Sequence, residues 1–138
     1  MKVIEIPIEV RYAETDQMGV VYHANYLIWF EVGRTALLDS IGLDYFRLEE
    51  EGFVSPVLKV AASFHRPARY GKEALVRTWV EAYDGLRITY GYEILSGGQL
   101  CVTGTTVHVL VRREDFRPVS LRRHFPKWDA VYNKLKHN

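Results

Sequence analysis

The sequence has 138 residues, of which 48% are hydrophobic and 25% are charged, and its formal net charge is +1. This length fits one domain, which we take to span 1–138, and the composition excludes a disordered or fibrous chain. The sequence lacks the continuous apolar run of a signal peptide or a spanning helix, so it predicts a soluble, cytoplasmic protein. Its single cysteine, Cys101, cannot form an internal disulfide and is predicted to be a small buried residue.

The first predicted element is a half-buried strand over residues 3–12. Apolar and charged residues alternate there with the two-residue period of a strand. The apolar side holds Ile4, Ile6, Ile8, Val10 and Tyr12. Pro7 lacks an N–H group and therefore predicts that this strand lies at an edge or a bulge.

A long helix is predicted from Ala24 to about Ile41. Apolar residues recur there at spacings of four and three, which places them on one helical stripe. The stripe consists of Tyr26, Phe30, Gly33, Leu37 and Ile41. The first two turns carry further apolar residues in nearly every direction, so we expect the helix to be covered on most sides. Gly42 is predicted to end this helix as its C-cap residue.

The acidic segment LDYFRLEEEG predicts a short surface helix ending at Gly52, and strands follow it. Alternating patterns in VLKVAASFHR, LVRTWVEA, LRITYGYEIL and residues 100–112 predict four strands, joined by tight turns at Asp84-Gly85 and at 96–99. One long helix and about five antiparallel strands predict an α+β domain whose sheet curls around the helix. Such a sheet has an edge to protect, so we expect an oligomer.

The C-terminal part is basic, since residues 112–138 hold eight Lys or Arg against three Asp or Glu. Acids, prolines and apolar residues are mixed into this segment, unlike the aligned basic surface of a nucleic-acid-binding protein. We therefore expect no nucleic-acid partner, and a solvated, partly helical basic tail over about 118–138. The alternative is that some of its arginines contact the phosphates of an anionic ligand.

Two segments resemble a known family: RYAETDQMGVVYHANYLIWFEVGR at residues 11–34 and FHRPARYGKEALVRTWV at residues 64–80. The sequence is similar to hotdog-fold acyl-CoA thioesterases of the 4-hydroxybenzoyl-CoA thioesterase family, YbgC-like branch. The resemblance implies a hotdog fold, with a curved antiparallel sheet of about five strands around one central helix. It also implies hydrolysis of acyl-CoA to free acid and coenzyme A, with no metal or cofactor besides the substrate's own coenzyme A. The implied active sites lie between subunits, and we expect a homotetramer, a dimer of dimers.

Asp16 is the candidate catalytic residue. Thioester hydrolysis needs a base or nucleophile beside the carbonyl carbon and positive polarisation beside the carbonyl oxygen. A helix N-terminus supplies the polarisation, and the predicted helix begins near His23. Gly19 gives the intervening loop the freedom to fold back. The alternative for Asp16 is a turn or N-cap residue, and a catalytic Asp16 acts either as nucleophile or as general base.

The resemblance assigns to His23 the backbone N–H that polarises the thioester oxygen, and its imidazole is a candidate for proton transfer. Tyr22 and Tyr26 are predicted to pack and to line the substrate pocket. Asn25 is predicted to be the N-cap residue of the helix. Glu31 predicts an ion pair with the arginine three residues further on, or an interface contact.

Coenzyme A carries phosphates, which require Lys, Arg or backbone N–H groups. Arg66, Arg69 and Arg87 are candidates for these contacts, with solvated surface as the alternative for each. Thr89 is a candidate for contact with the pantetheine arm.

Other chemistries lack a signature. The sequence has no HExxH or CxxC spacing, no P-loop and no GxSxG elbow, so it predicts neither a metal site nor a serine hydrolase. Two alternative functions remain for a domain of this kind. One is a hotdog module that binds acyl-CoA or an acyl carrier without turnover. The other is a dehydratase acting on acyl thioesters, which calls for a His and acid placement that is not found.

Overall fold

The computed structural model describes residues 2–137 of the chain. In chain order the elements are β1 (Ile4–Glu9), a 3-10 helix (Tyr12–Glu14), α1 (Ala24–Ser40), α2 (Tyr45–Glu50), β2 (Phe53–Val54), β3 (Val57–Phe64), β4 (Glu73–Tyr83), β5 (Arg87–Ser96), β6 (Gln99–Val109), β7 (Val111–Arg112), α3 (Leu121–His124) and α4 (Pro126–Leu135). No helix within these residues is long and apolar enough to cross a membrane.

Five strands form one antiparallel sheet in the order β1-β4-β5-β6-β3, so β1 and β3 are its edges. The predicted edge position of the first strand is therefore confirmed. Both predicted hairpins are present: Gly85 adopts a φ of +92°, and Ser96 pairs with Gln99 across the second turn. Tyr12 was predicted to continue the apolar side of β1, but it lies beyond the strand and is largely exposed.

Helix α1 packs on the inner face of the sheet and builds the core. The predicted stripe is buried at Tyr26, Phe30, Gly33 and Leu37 and half-buried at Ile41. Gly33 allows a close approach to β4, because a Cβ atom there would lie 2.7 Å from Cγ1 of Val76. The ring of Phe30 stacks on Tyr92 of β5 with 4.3 Å between centroids. The α+β prediction of a sheet packed around one long helix is thus confirmed.

The outer side of α1 and the edge strand β3 expose apolar side chains. On α1, Leu27, Ile28 and Val32 are 40%, 52% and 41% exposed. The large exposed apolar side chains of β3 are Val57, Leu58, Val60 and Phe64. The sequence predicts that α1 is covered on most sides. Within one chain it is not, because this outer side of the helix remains exposed.

The basic tail is partly helical, as predicted, but it is not simply solvated. Val119, Leu121 and Tyr132 are buried, and the hydroxyl of Tyr132 lies 2.6 Å from that of Tyr90 on β5. These apolar and aromatic residues pack against the sheet, and the basic residues between them remain at the surface. The tail is therefore part of the domain core.

Candidate active site

Residues 14–22 fold into a small hairpin that returns the chain to the start of α1. The N–H of Asp16 donates to the carbonyl oxygen of Val20 (2.9 Å), and the N–H of Tyr22 donates to that of Glu14 (2.8 Å). Gly19 adopts a φ of +79°, which residues other than glycine rarely reach, and its N–H donates to the carbonyl of Asp16 (3.0 Å). The predicted folding back of this loop at Gly19 is confirmed.

The side chain of Asp16 both shapes this turn and faces the adjacent pocket. Its Oδ1 accepts a hydrogen bond of 2.9 Å from the N–H of Met18, so the turn role considered for Asp16 is present. Among residues 2–137, no other group donates to its carboxylate. Asp16 is half-buried, and its second oxygen is free to meet a ligand.

A pocket of about 280 Å³ lies beside this carboxylate. Aromatic rings form much of its wall, with 5.9 Å between the centroids of Tyr26 and Phe64 and 6.1 Å between those of His23 and Phe64. The lining residues are Asp16, Met18, Val20, Val21, His23, Tyr26, Phe64, His65, Arg66 and Pro67. The structure therefore brings Asp16, His23, Tyr26 and Arg66 together, as the sequence predicts.

The N-terminus of α1 opens beside the same pocket. Within residues 2–137, the N–H groups of His23 and Ala24 have no hydrogen-bond acceptor, whereas the N–H of Asn25 donates to the carbonyl of Tyr22. Unpaired N–H groups at a helix start concentrate partial positive charge there. The site thus combines a carboxylate with a helix N-terminus that carries partial positive charge.

The prediction that Asn25 caps this helix is wrong. The N-cap position is His23, which makes no side-chain capping bond. The side chain of Asn25 instead donates from Nδ2 to the carbonyl oxygen of Glu14 (2.8 Å). Asn25 therefore ties the helix to the loop in front of it, a contact that depends on how the loop folds back.

Tyr26 links α1 to the loop between β3 and β4. Its hydroxyl oxygen accepts a hydrogen bond of 3.0 Å from the N–H of Ala68, whose carbonyl in turn accepts from the N–H of Val21 (2.9 Å). Burial raises the pKa of Tyr26, and the negative charge of Asp16 adds to this effect. Tyr26 is therefore a neutral wall residue at physiological pH, in agreement with its predicted packing role.

The remaining predicted contacts divide into two groups. Arg69 lies at the rim of the hairpin, with Nη1 3.4 Å from the carbonyl oxygen of Gly19, and Tyr22 is exposed with its ring 4.6 Å from that of His23. Arg87 and Thr89 do not join this pocket within one chain. Arg87 pairs with Val109 on β6, whereas the pocket residue Phe64 pairs with Val102 of the same strand. Val102 and Val109 are seven residues apart, which is roughly 23 Å at the spacing of a strand.

Among the six lining residues that the sequence did not indicate are Phe64 and His65. They directly precede Arg66, so the end of the VLKVAASFHR strand was the available signal. His65 is exposed, and its Nε2 lies 3.0 Å from Oγ1 of Thr103. Within residues 2–137, no three His, Cys, Asp or Glu side chains form a group able to hold a metal ion.

An antiparallel sheet around one helix, with a carboxylate loop at the N-terminus of that helix, defines a hotdog-fold domain of the thioesterase type. The family described as the thioesterase-like superfamily matches residues 10–129, and the chain belongs to this superfamily.

Individual relatives agree with this assignment. The chain is 48% identical over 137 residues to the putative acyl-CoA thioesterase YneP of Bacillus subtilis, covering 99% of each protein. It is 30% identical to the acyl-CoA thioesterase YbgC of Haemophilus influenzae, covering 94% of each. Among solved structures, a DHNA-CoA thioesterase from Staphylococcus aureus superposes with a TM-score of 0.94 at 41% identity, covering 97% of this chain and 91% of that one.

Proposed function

We propose that this chain hydrolyses acyl-CoA thioesters to the free acid and coenzyme A at the pocket beside Asp16. The observation that carries this proposal is the meeting of the Asp16 carboxylate and the N-terminus of α1 at one pocket. Family membership and the acyl-CoA thioesterase relatives support it. The carboxylate supplies the base or nucleophile, and the N–H of His23 polarises the thioester carbonyl.

Two routes balance the reaction. In the first, Asp16 takes a proton from water as the water oxygen attacks the carbonyl carbon. This attack forms an oxyanion, which the N–H of His23 stabilises. In the second, a carboxylate oxygen of Asp16 attacks directly, and water then hydrolyses the mixed anhydride. In both, the C–S bond breaks and the electron pair leaves on the sulfur of coenzyme A as a thiolate.

The coenzyme A phosphates bind on the Arg66 and Arg69 side of the pocket. Arg66 lines the pocket and Arg69 lies at the hairpin rim, and both side chains are exposed. Arg87 and Thr89 stay predictions that require a second chain, because they lie far along the sheet from Asp16 within one chain. Arg66→Ala is expected to raise KM for acyl-CoA severalfold at unchanged kcat, and Lys127→Ala in the tail is the matched control.

The acyl group is aromatic. The rings of His23, Tyr26 and Phe64 surround the pocket, and aromatic side chains favour stacked or edge-on contact with another ring. The similar Staphylococcus aureus protein is a DHNA-CoA thioesterase, which supports the same class of substrate. Benzoyl-CoA and 1,4-dihydroxy-2-naphthoyl-CoA should therefore give higher kcat/KM than hexanoyl-CoA, and a reversed order would contradict this part of the proposal.

The competing function is a module that binds acyl-CoA without turnover. Free thiol released from a panel of aliphatic and aromatic acyl-CoAs distinguishes the two. Thiol release at a rate proportional to protein concentration supports the enzyme. Acyl-CoA binding measured by calorimetry, with no thiol released from any member of the panel, would support the binding module instead.

The functional unit is a homotetramer assembled from two dimers whose sheets continue across the β3 edge. The β1 edge is interrupted by Pro7, which lacks an N–H, whereas β3 is the longer edge strand and exposes Val57, Val60 and Phe64. Pairing there also brings a second chain to the exposed face of α1. This arrangement would place residues of the second chain beside the Asp16 pocket.

Light scattering at micromolar concentration tests this assembly. The wild type should have four times the mass of the chain, and Val60→Lys should dissociate the β3 edge and reduce activity. Glu9→Lys on the opposite edge strand β1 is the matched control and should remain assembled. An active monomer would contradict the proposed assembly.

A further inference from the structure

Glu14 is a buried carboxylate between the Asp16 hairpin and α1. Only 5% of the residue is exposed, and it does not line the Asp16 pocket. Its Oε2 accepts a hydrogen bond of 2.9 Å from the indole N–H of Trp29, and its Oε1 accepts one of 2.8 Å from the backbone N–H of Arg11. The Arg11 guanidinium contributes a longer contact of 3.4 Å. The carboxylate therefore joins the segment before the hairpin to the second turn of α1.

The backbone of the same residue makes two more contacts. The carbonyl oxygen of Glu14 accepts from the N–H of Tyr22 and from Nδ2 of Asn25, each at 2.8 Å. Tyr22 closes the hairpin and Asn25 lies in the first turn of α1. One residue thus holds both ends of the hairpin and two successive turns of the helix.

We infer that Glu14 is a positioning residue that holds the Asp16 carboxylate at a working distance from the N-terminus of α1. This inference rests on the proposed function, because it assigns Glu14 no chemistry of its own. Asp16 is two residues from Glu14 itself. The N–H of His23 lies between Tyr22 and Asn25, which both donate to the carbonyl oxygen of Glu14. Both groups are therefore within two residues of a position that Glu14 fixes. A displacement of about 1 Å between such groups can cost on the order of 100-fold in rate.

The electrostatics favour a charged Glu14. Burial alone would raise the pKa of this carboxyl, but hydrogen bonds from the Arg11 N–H, the Trp29 indole and the Arg11 guanidinium outweigh it and lower the pKa below its ordinary value. The side chain is therefore an ionised acceptor throughout the neutral pH range. Such a group offers two acceptor oxygens to two N–H donors without supplying a competing donor.

Glu14→Gln tests the inference with little change of shape. A glutamine amide offers one acceptor oxygen, so its NH₂ group must face either the N–H of Trp29 or that of Arg11. We expect kcat to fall about 10- to 100-fold as the anchored geometry loosens, and KM to change less than about threefold. Circular dichroism and a thermal melt establish that the protein is folded at the assay temperature.

Trp29→Phe removes the indole donor from the other side of the contact. It should lower kcat by less than Glu14→Gln does, because the Arg11 N–H still binds Glu14. In the double variant, the glutamine NH₂ no longer opposes the indole N–H, so kcat should recover towards that of Trp29→Phe. Such coupling marks a direct interaction, whereas general destabilisation would make the two losses multiply.

The chain offers a matched control pair on the outer face of the sheet, where the indole N–H of Trp79 donates to Glu81. Glu81→Gln and Trp79→Phe should leave kcat unchanged. The positioning role would be overturned if Glu14→Gln kept full kcat, or if the losses multiplied in the double variant. The proposed function would still stand in that case, provided that the wild type is active and Asp16→Asn is inactive. If Glu14→Gln does not fold, Trp29→Phe alone decides, and unchanged kcat there overturns the inference. A wild type without thioesterase activity would defeat both.

Discussion

Asp16 and His23 line the same pocket although six residues separate them in the chain. The hairpin between them brings the carboxylate to the beginning of α1, where the N–H groups of His23 and Ala24 have no acceptor within residues 2–137. Neither residue type is unusual by itself. The fold places a carboxylate and unpaired N–H groups together at one aromatic pocket.

His23 is predicted to act through its main chain. His23→Ala keeps the N–H and should reduce kcat by less than about tenfold, whereas His23→Pro removes it and should cost about 10² to 10³ in kcat. Proline suits the backbone at this position because the φ of His23 is −57°. Steady-state kinetics with benzoyl-CoA measure both variants. If His23→Ala loses as much kcat as His23→Pro, the imidazole carries the role, because both variants lack it and only His23→Pro also lacks the N–H.

Tyr26→Phe should destabilise the loop beside the pocket. The variant leaves the buried N–H of Ala68 without its acceptor, which is expected to lower the free energy of unfolding by about 1–3 kcal/mol. Urea denaturation measures the change. Tyr22→Phe is the matched control and should alter stability by less than about 0.5 kcal/mol, because Tyr22 is exposed. Equal stability of Tyr26→Phe and wild type would contradict the proposed link.

Acid stability should depend on His108. This histidine is 2% exposed, and burial followed by the charge of Arg34 lowers its pKa from 6.5 to about 4. Between these values the unfolded chain binds a proton that the folded chain does not, so stability falls as the pH is lowered from 6.5 to 4. The loss from this residue is about 3 kcal/mol, and it is absent above pH 6.5.

His108→Phe isolates this contribution. The variant should show a shallower decline of the free energy of unfolding between pH 6.5 and 4 in urea titrations. Thr106 retains a hydrogen-bond partner in the variant, because its Oγ1 also lies 2.7 Å from the hydroxyl of Tyr92. His124→Gln at the exposed end of α3 should keep the wild-type decline. An unchanged pH dependence in His108→Phe would refute the assignment.

The sequence predicts those features that depend on local pattern. The alternation in β1, the positive φ at Gly85 and the hairpin at Gly19 follow from residue types a few positions apart. Contacts fixed by tertiary packing could not be read in this way. Asn25 has the residue type of a cap but binds Glu14, and Tyr132 is buried in a tail whose charges suggest solvent. Strand order places Arg87 away from Asp16, and no local pattern encodes that order.

The most direct test of a catalytic Asp16 is the kcat of Asp16→Asn with an acyl-CoA substrate that the wild type hydrolyses. Asparagine retains the oxygen that accepts from the N–H of Met18, so the turn and the fold should persist, but an amide is neither a useful base nor a nucleophile. We predict a loss in kcat on the order of 10² to 10⁴, or more if Asp16 attacks directly, with a smaller change in KM. A folded Asp16→Asn variant with nearly wild-type kcat would show that this carboxylate only shapes the turn.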